Sequence, residues 1–422
     1  MKNSEYKGFY KLAIEDRLKE VVEFAGLTKE ESEALSNPDA LTPDMADHMV
    51  ENVIGRYSLP MGVAVNFLIN GKDYLIPMVT EEPSVIAAAS NGAKMARENG
   101  GIFASNSGTV MISQIQVLDI EDANYAKIKV LENRKAIAEK CNEMDPVLVK
   151  LGGGVVDVEA RVVESSIIGD MLIVHLKVNT LDAMGANAVN TMAEGISPFI
   201  EEITGGRVNL RILSNLAIFR LARARAKFSK ESLGGEHVVD AIIDAYAFAE
   251  ADPFRAATHN KGIMNGISAA VLATGNDTRA VESGAHAYAS LSGSYKPLST
   301  WEKDKNGDLV GTIELPMAVG LVGGATKVHP QAKAAVRILG VKSAGELGEV
   351  FASLGLIQNF AAVRVLATEG VQRGHMGLHA RNIAAVAGAT GDVLEAIVKR
   401  MVSEKKVRVE YAQELLKEYE NK

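Results

Sequence analysis

Residues 170–178 read Asp-Met-Leu-Ile-Val-His-Leu-Lys-Val, and within them Leu172, Val174, Leu176 and Val178 alternate with other residues. A side-chain period of two marks a strand with one face on a core. Residues 110–118, Val-Met-Ile-Ser-Gln-Ile-Gln-Val-Leu, have the same character. The charged stretch 126–143 between them reads as a helix. Strands and a helix joined by short turns predict a compact unit of mixed structure. On either side the texture is more helical. Upstream, Leu12, Leu18, Val21, Val22 and Ala25 recur at helical spacing. Thr28 with Glu31 makes a capping box that opens a second helix, and Thr42-Pro43-Asp44 opens a third. Residues 63–67 and 74–79 read as strands around the turn Asn70-Gly71, and 87–98 as a small-residue helix after Pro83. Downstream, 215–251 reads as helical, 262–274 as a second small-residue helix, 330–366 as at least two helices and 383–422 as charged helices. The expected fold is α+β. A large, mostly helical domain, 1–108 and 215–373, is interrupted by a small α/β unit at 109–214 and followed by a helical segment at 374–422.

The chain has 422 residues, enough for two or three domains with a large core. Its formal charge is −8, which disfavours nucleic acid as a partner while leaving room for a local basic pocket for a phosphorylated cofactor. Cys141 is the one cysteine, so no intramolecular disulfide forms, and a reducing cytoplasm is expected. The first eleven residues lack the apolar core of a signal peptide. Apolar runs such as residues 317–322 are far too short to cross a bilayer, so no membrane is expected.

Four clusters carry candidate chemistry. Glu81-Glu82-Pro83-Ser84 sits at a strand-to-helix junction, where burial can turn a carboxyl into a general acid. The plainer reading is an acidic helix start. The run from Asp252 to Gly262 places Arg255, His259, Asn260 and Lys261 ahead of a small-residue helix. Such a set can clamp a carboxylate and polarise a carbonyl, or be a solvated polar loop. Thr274-Gly275-Asn276-Asp277 reads as a turn that can return Asp277 towards Lys261. Gln372-Arg373-Gly374-His375-Met376-Gly377-Leu378-His379 spaces two histidines for one helical face. Zinc is disfavoured, because the glutamate of a zincin is replaced by Met376 and no third ligand is evident, so the expectation is proton transfer and no metal. No Rossmann glycine fingerprint, P-loop or nucleophile elbow is present, and Lys140-Cys141-Asn142-Glu143 is a poor setting for a nucleophile.

Glu51-Asn52-Val53-Ile54-Gly55, Glu82-Pro83-Ser84, Asp182-Ala183-Met184-Gly185-Ala186-Asn187, His259-Asn260-Lys261-Gly262, Thr274-Gly275-Asn276-Asp277 and Gly374-His375-Met376 occur in that order. As an ordered set they resemble the class II 3-hydroxy-3-methylglutaryl-coenzyme A (HMG-CoA) reductases, over almost the whole chain. The resemblance implies a large domain for the acyl-CoA, a small inserted non-Rossmann domain for the dinucleotide and a C-terminal flap. It implies a homodimer with active sites at the subunit interface, near residues 51–55. It implies a two-step, four-electron interconversion of HMG-CoA with mevalonate and coenzyme A, through mevaldehyde. By the same resemblance Lys261 holds the oxyanion, Asp277 fixes Lys261, Glu82 is the acid and His375 protonates the coenzyme A thiolate. Ser84, Arg255 and Asn265 match positions that hold the substrate's carboxylate and hydroxyl, and Gln358, Asn359 and His379 match positions near coenzyme A. Asp182, Met184, Gly185 and Asn187 fall in the dinucleotide motif. Asp145 matches an acidic position of NADH-using relatives, which favours NAD(H) over NADP(H), although its spacing fits equally well a plain helix end before Pro146. Where some relatives have an arginine for the coenzyme A phosphates, this chain has Tyr10, with Lys11 beside it. Two competing classes are a CoA-acylating aldehyde dehydrogenase, which would need Cys141 as nucleophile, and a non-catalytic CoA- or nucleotide-binding protein, which would not need Glu82, Lys261, Asp277 and His375 together.

Overall fold

The computed structural model describes residues 3–368, 370 and 380–420. Its strands are β1 (Met61–Ile69), β2 (Lys72–Val79), β3 (Ile102–Asn106), β4 (Val110–Leu118), β5 (Gly154–Val163), β6 (Met171–Asn179), β7 (Arg207–Ser214), β8 (Leu221–Phe228), β9 (Ser299–Lys303) and β10 (Leu309–Pro316). They form two sheets. The larger has the order β2-β1-β3-β8-β10-β9 and the smaller β5-β6-β4-β7. In the smaller sheet every pairing is antiparallel. Its inner residues, among them Leu172, Val174, Leu176 and Val178, meet Val189, Met192 and Ile196 of the Ala186–Thr204 helix in a core of their own.

The larger sheet packs on a 24-residue helix, Ala344–Ala367, which runs through the main core. By length and composition this helix would cross a membrane, which the sequence reading overlooked. It is a core helix instead, with 72% of its most apolar stretch buried inside the fold. Strand β8 corrects a second expectation. Residues 215–251 contain the strand Leu-Ala-Arg-Ala-Arg-Ala-Lys-Phe before a short helix, Lys230–Leu233, and a longer one, Glu236–Ala251. Alanine and arginine are strong helix formers, but their alternation puts Ala222, Ala224 and Ala226 on the buried side. Small side chains there let the sheet approach the central helix; a Cβ on Gly348 would lie 3.6 Å from that of Ala222.

Two further boundaries differ. The helix expected over 126–143 is two, Ala123–Glu132 and Arg134–Met144, broken at Asn133. The polar cluster 252–262 is no loop. Asp252 accepts a hydrogen bond from the Arg255 N–H, Pro253 takes the first turn, and one helix runs from Pro253 to Ala273. The caps at Thr28 and Thr42 form as the sequence signals. At the end of the chain, Gly391–Ser403 and Val409–Glu420 share a small core built on Ile397, Met401, Tyr411 and Leu415.

Candidate active site

Strand β2 ends at Val79, and the chain turns through Glu81-Glu82-Pro83-Ser84 into the Val85–Arg97 helix. The Glu82 N–H donates to Thr80 Oγ1 at 3.1 Å. Ser84 takes a left-handed backbone, φ 74°, which is uncommon for a residue with a Cβ and marks this turn as constrained. The Pro253–Ala273 helix crosses nearby, and Lys261 Nζ donates to Glu82 Oε2 at 2.8 Å. Asn265 follows Lys261 by one helical turn and is half-buried.

Arg255 lies earlier on the same helix. It is partly buried, and burial lowers its pKa from the usual arginine value. No carboxylate among the described residues pairs with it within ion-pair distance, although its guanidinium costs free energy to desolvate. Among the described residues no hydrogen bond or ion pair joins Asp277 to Lys261. Asp277 caps the Thr278–Ala289 helix, accepting from the N–H groups of Arg279 and Ala280, and its other oxygen meets the Arg279 guanidinium at 3.1 Å. That is ordinary N-cap geometry, and in this chain Lys261 has Glu82 as its ion partner.

Gln358 and Asn359 lie inside, on the central helix. Gln358 is 4% exposed and its Oε1 finds no donor. It lies against the Pro253–Ala273 helix at Gly266, where a Cβ would sit 3.2 Å from that oxygen. Asn359 is fully buried and bonded to Ser299, Trp301 and the His259 carbonyl, so the contact with coenzyme A expected of it has no exposed atom. His259 is buried as well, and burial together with Arg255 holds its pKa down at about 4. Neither the burial of Asn359 nor its partners Ser299 and Trp301 could be read from the sequence, because the contacts join distant segments. His375 and His379 lie outside the described residues. Tyr10 is exposed, with Lys11 Nζ 5.9 Å from its ring centroid.

In the smaller sheet's unit, Asp182 lies just past β6. Its Oδ1 accepts the N–H of Ala344, the first residue of the central helix. Arg220, missed by the sequence reading, is 3% exposed and binds Thr180 Oγ1 at 2.8 Å, the Ala183 carbonyl at 3.1 Å and the Val319 carbonyl at 2.5 Å. Burial pulls its pKa down to about 10, with the Asp182 charge opposing. This node fixes the loop holding Met184 and Gly185 to the larger sheet's side of the molecule. Gly185 starts the Ala186–Thr204 helix at φ 98° with no side-chain cap. A Cβ there would lie 2.4 Å from Thr180 Cγ2, so glycine is required. Asn187 is exposed in the helix's first turn. Asp145 caps the Pro146–Lys150 helix, its Oδ1 accepting from the Leu148 N–H at 2.9 Å.

A family model described as hydroxymethylglutaryl-coenzyme A reductase matches residues 13–380. The chain belongs to the HMG-CoA reductase family. It is 62% identical over 414 residues to the Archaeoglobus fulgidus 3-hydroxy-3-methylglutaryl-coenzyme A reductase, covering 98% of this chain and 94% of that one. It is 37% identical to a probable HMG-CoA reductase of Borreliella burgdorferi, over 81% of this chain and 78% of the other. Among solved structures, an HMG-CoA reductase from Streptococcus pneumoniae superposes with a TM-score of 0.85 at 38% identity, covering 98% of this chain and 100% of that one. A second structure, of the class II reductase from Streptococcus pneumoniae bound to NADPH in open conformations, has a TM-score of 0.82 at 38% identity and covers 97% and 100%. The expected membership in this family is met, and with it the fold of a class II reductase.

Proposed function

We propose that this chain reduces HMG-CoA to mevalonate and coenzyme A, or runs the reverse, with two hydride transfers per cycle. The contact between Lys261 and Glu82 carries the reading: a cation and a carboxyl group 2.8 Å apart, from separate elements, in a chain of this family. A nicotinamide dinucleotide supplies the hydride when bound. The remaining work falls to side chains. Hydride addition at the thioester carbon leaves negative charge on oxygen, and the Lys261 ammonium is the group to hold it. The Glu82 carboxyl, touching that ammonium, gives the oxygen a proton once it has itself taken one up, and takes it back as the carbonyl re-forms and the thiolate leaves. His375 protonates the departing thiolate, and the aldehyde that remains accepts a second hydride at the same lysine. Asp277 is the carboxylate given the support of Lys261, by resemblance to the family's motif. Arg255, which pairs with no carboxylate among the described residues, receives the substrate's free carboxylate. Ser84 and Asn265 hold its hydroxyl and carboxylate end, and Gln358 and His379 lie on the coenzyme A side.

The residues present fit a dinucleotide. The uncapped amides behind Gly185 suit a pyrophosphate at a helix N-terminus, flanked by Asp182, Met184 and Asn187. Asp145 favours NAD(H), since a carboxylate repels a 2′-phosphate. Ile54 and Tyr57, 105% and 89% exposed in the single chain, support a homodimer joined near residues 51–55. A reducing cytoplasm suits the single cysteine.

The test is absorbance of the reduced cofactor on mixing the protein with HMG-CoA and NADH or NADPH, and with mevalonate, coenzyme A and the oxidised forms. Turnover in neither direction with either cofactor overturns the reading.

A further inference from the structure

Four buried polar residues form a chain of hydrogen bonds behind Lys261, and their donor and acceptor roles can be read outward from Trp301. An indole N–H only donates. Trp301 Nε1 donates to Asn359 Oδ1 at 2.8 Å, which fixes the orientation of that amide. Ser299 Oγ lies 2.9 Å from the same oxygen, so the hydroxyl's single proton points there. Towards His259 Nε2, 2.7 Å away, Ser299 can then only accept. His259 therefore carries a proton on Nε2, and burial, which holds its pKa down at about 4, leaves the ring neutral. Asn359 Nδ2 closes the loop by donating to the His259 carbonyl at 3.2 Å. The next residue is tied down separately: Asn260 Nδ2 donates to the Lys296 carbonyl, and its Oδ1 accepts the Leu298 N–H, both at 2.9 Å.

Such directional contacts answer a need of this helix. The Pro253–Ala273 helix packs on the central helix through small residues. A Cβ on Gly266 would lie 3.1 Å from that of Gln358, and one on Gly355 would lie 2.6 Å from Ile267. Smooth apolar surfaces allow close approach but do not define rotation, because burial is non-directional. Hydrogen bonds define it. Trp301, the origin of the chain, is itself closely packed and 1% exposed. It pairs across the sheet with Gly311, where a Cβ would be 2.1 Å from the indole, and its ring meets Phe228 and Phe360.

We propose that Trp301, Asn359, Ser299 and His259 are positioning residues of the reductase site, which fix the rotation of the Pro253–Ala273 helix so that Lys261, two residues beyond His259, meets Glu82. This inference rests on the reading of Lys261 and Glu82 as the reacting pair. It places Asn359 behind the site and commits the His259 proton to Ser299.

Two measurements on the full chain test it. In nitrogen-15 NMR of histidine-labelled protein at neutral pH, the His259 signal, assigned by its loss in His259→Gln, is expected to show a neutral ring protonated at Nε2. A proton on Nδ1 overturns the proposal. In kinetics, Ser299→Ala is expected to lower kcat per folded molecule roughly tenfold or more, with KM for HMG-CoA within about threefold, the signature of a misplaced catalytic group. Ser299→Thr, which keeps the hydroxyl, is expected to restore kcat. An unchanged kcat in Ser299→Ala, beside an active wild type, overturns the positioning role and leaves the functional reading intact. A wild type that does not turn over HMG-CoA overturns both, a result the NMR signal cannot mimic.

Discussion

Lys261 Nζ and Glu82 Oε2 lie 2.8 Å apart although 179 residues of chain separate them. Their side chains are 58% and 38% exposed, so as an ion pair they contribute at most about 1 kcal/mol to stability. The contact's value is chemical. Lys261→Ala is expected to leave the unfolding midpoint close to that of the wild type and to remove nearly all turnover. The loss of an oxyanion contact costs roughly 3–4 kcal/mol in the transition state. Near-normal kcat in a folded variant would refute the role given to this lysine.

Buried His259 makes stability depend on pH in a definite direction. Its pKa falls from 6.5 to about 4 on folding, so the unfolded chain binds the proton first as pH drops. The stabilisation is complete above about pH 6.5 and is lost as pH falls towards 4, by about 2–3 kcal/mol at pH 4.5. His175 and His329, also lowered by burial, act in the same sense. Urea unfolding at pH 7.5 and 4.5, compared between wild type and His259→Gln, checks this. The variant is expected to lose less stability over the interval, and an equal loss would contradict the prediction.

Cys141 separates the reductase from an enzyme that works through a cysteine thioester. The thiol is fully buried, and burial pushes its pKa up to about 12, so almost no thiolate exists at neutral pH. A thiol reagent is expected to label the protein only after denaturation. Cys141→Ala is expected to keep turnover, at a stability cost of about 1 kcal/mol from the vacated space. Abolished turnover in a folded variant would favour the thioester mechanism.

The sequence announced what is local. Strand β6 carries Leu172, Val174, Leu176 and Val178 at a period of two, the Thr28 cap has its glutamate three residues on, and the motif around Glu82 lies at a real strand-to-helix junction, whereas Lys261 lies inside a helix. Non-local features stayed hidden. Strand β8 is composed of helix-favouring residues, and only pairing with β3 and β10 makes it a strand. The interior placement of Asn359 depends on Ser299 and Trp301, 60 and 58 residues away. Asp277 was expected at Lys261 on spacing and resemblance, but spacing does not register the competition from two free N–H groups and a guanidinium at the start of its own helix.

Cofactor choice is expected to turn on Asp145. One of its oxygens is committed to the Leu148 N–H, so the residue is both a helix cap and a candidate reader of the adenosine ribose. The two roles call for different substitutions. Asp145→Ala removes cap and charge together, and a cap alone is worth about 1 kcal/mol. Asp145→Asn keeps the cap, because asparagine is as good at an N-terminus, and removes only the charge that would repel a 2′-phosphate. The proposed preference for NAD(H) predicts a wild type with a higher kcat/KM for NADH than for NADPH. Asp145→Asn is then expected to narrow that ratio about tenfold or more, mainly through a lower KM for NADPH, with an unchanged unfolding midpoint. The Streptococcus pneumoniae relative, 38% identical and solved with NADPH, makes the comparison informative. A wild type that prefers NADPH, or an Asp145→Asn variant with the wild-type ratio, would move the choice of cofactor to another residue.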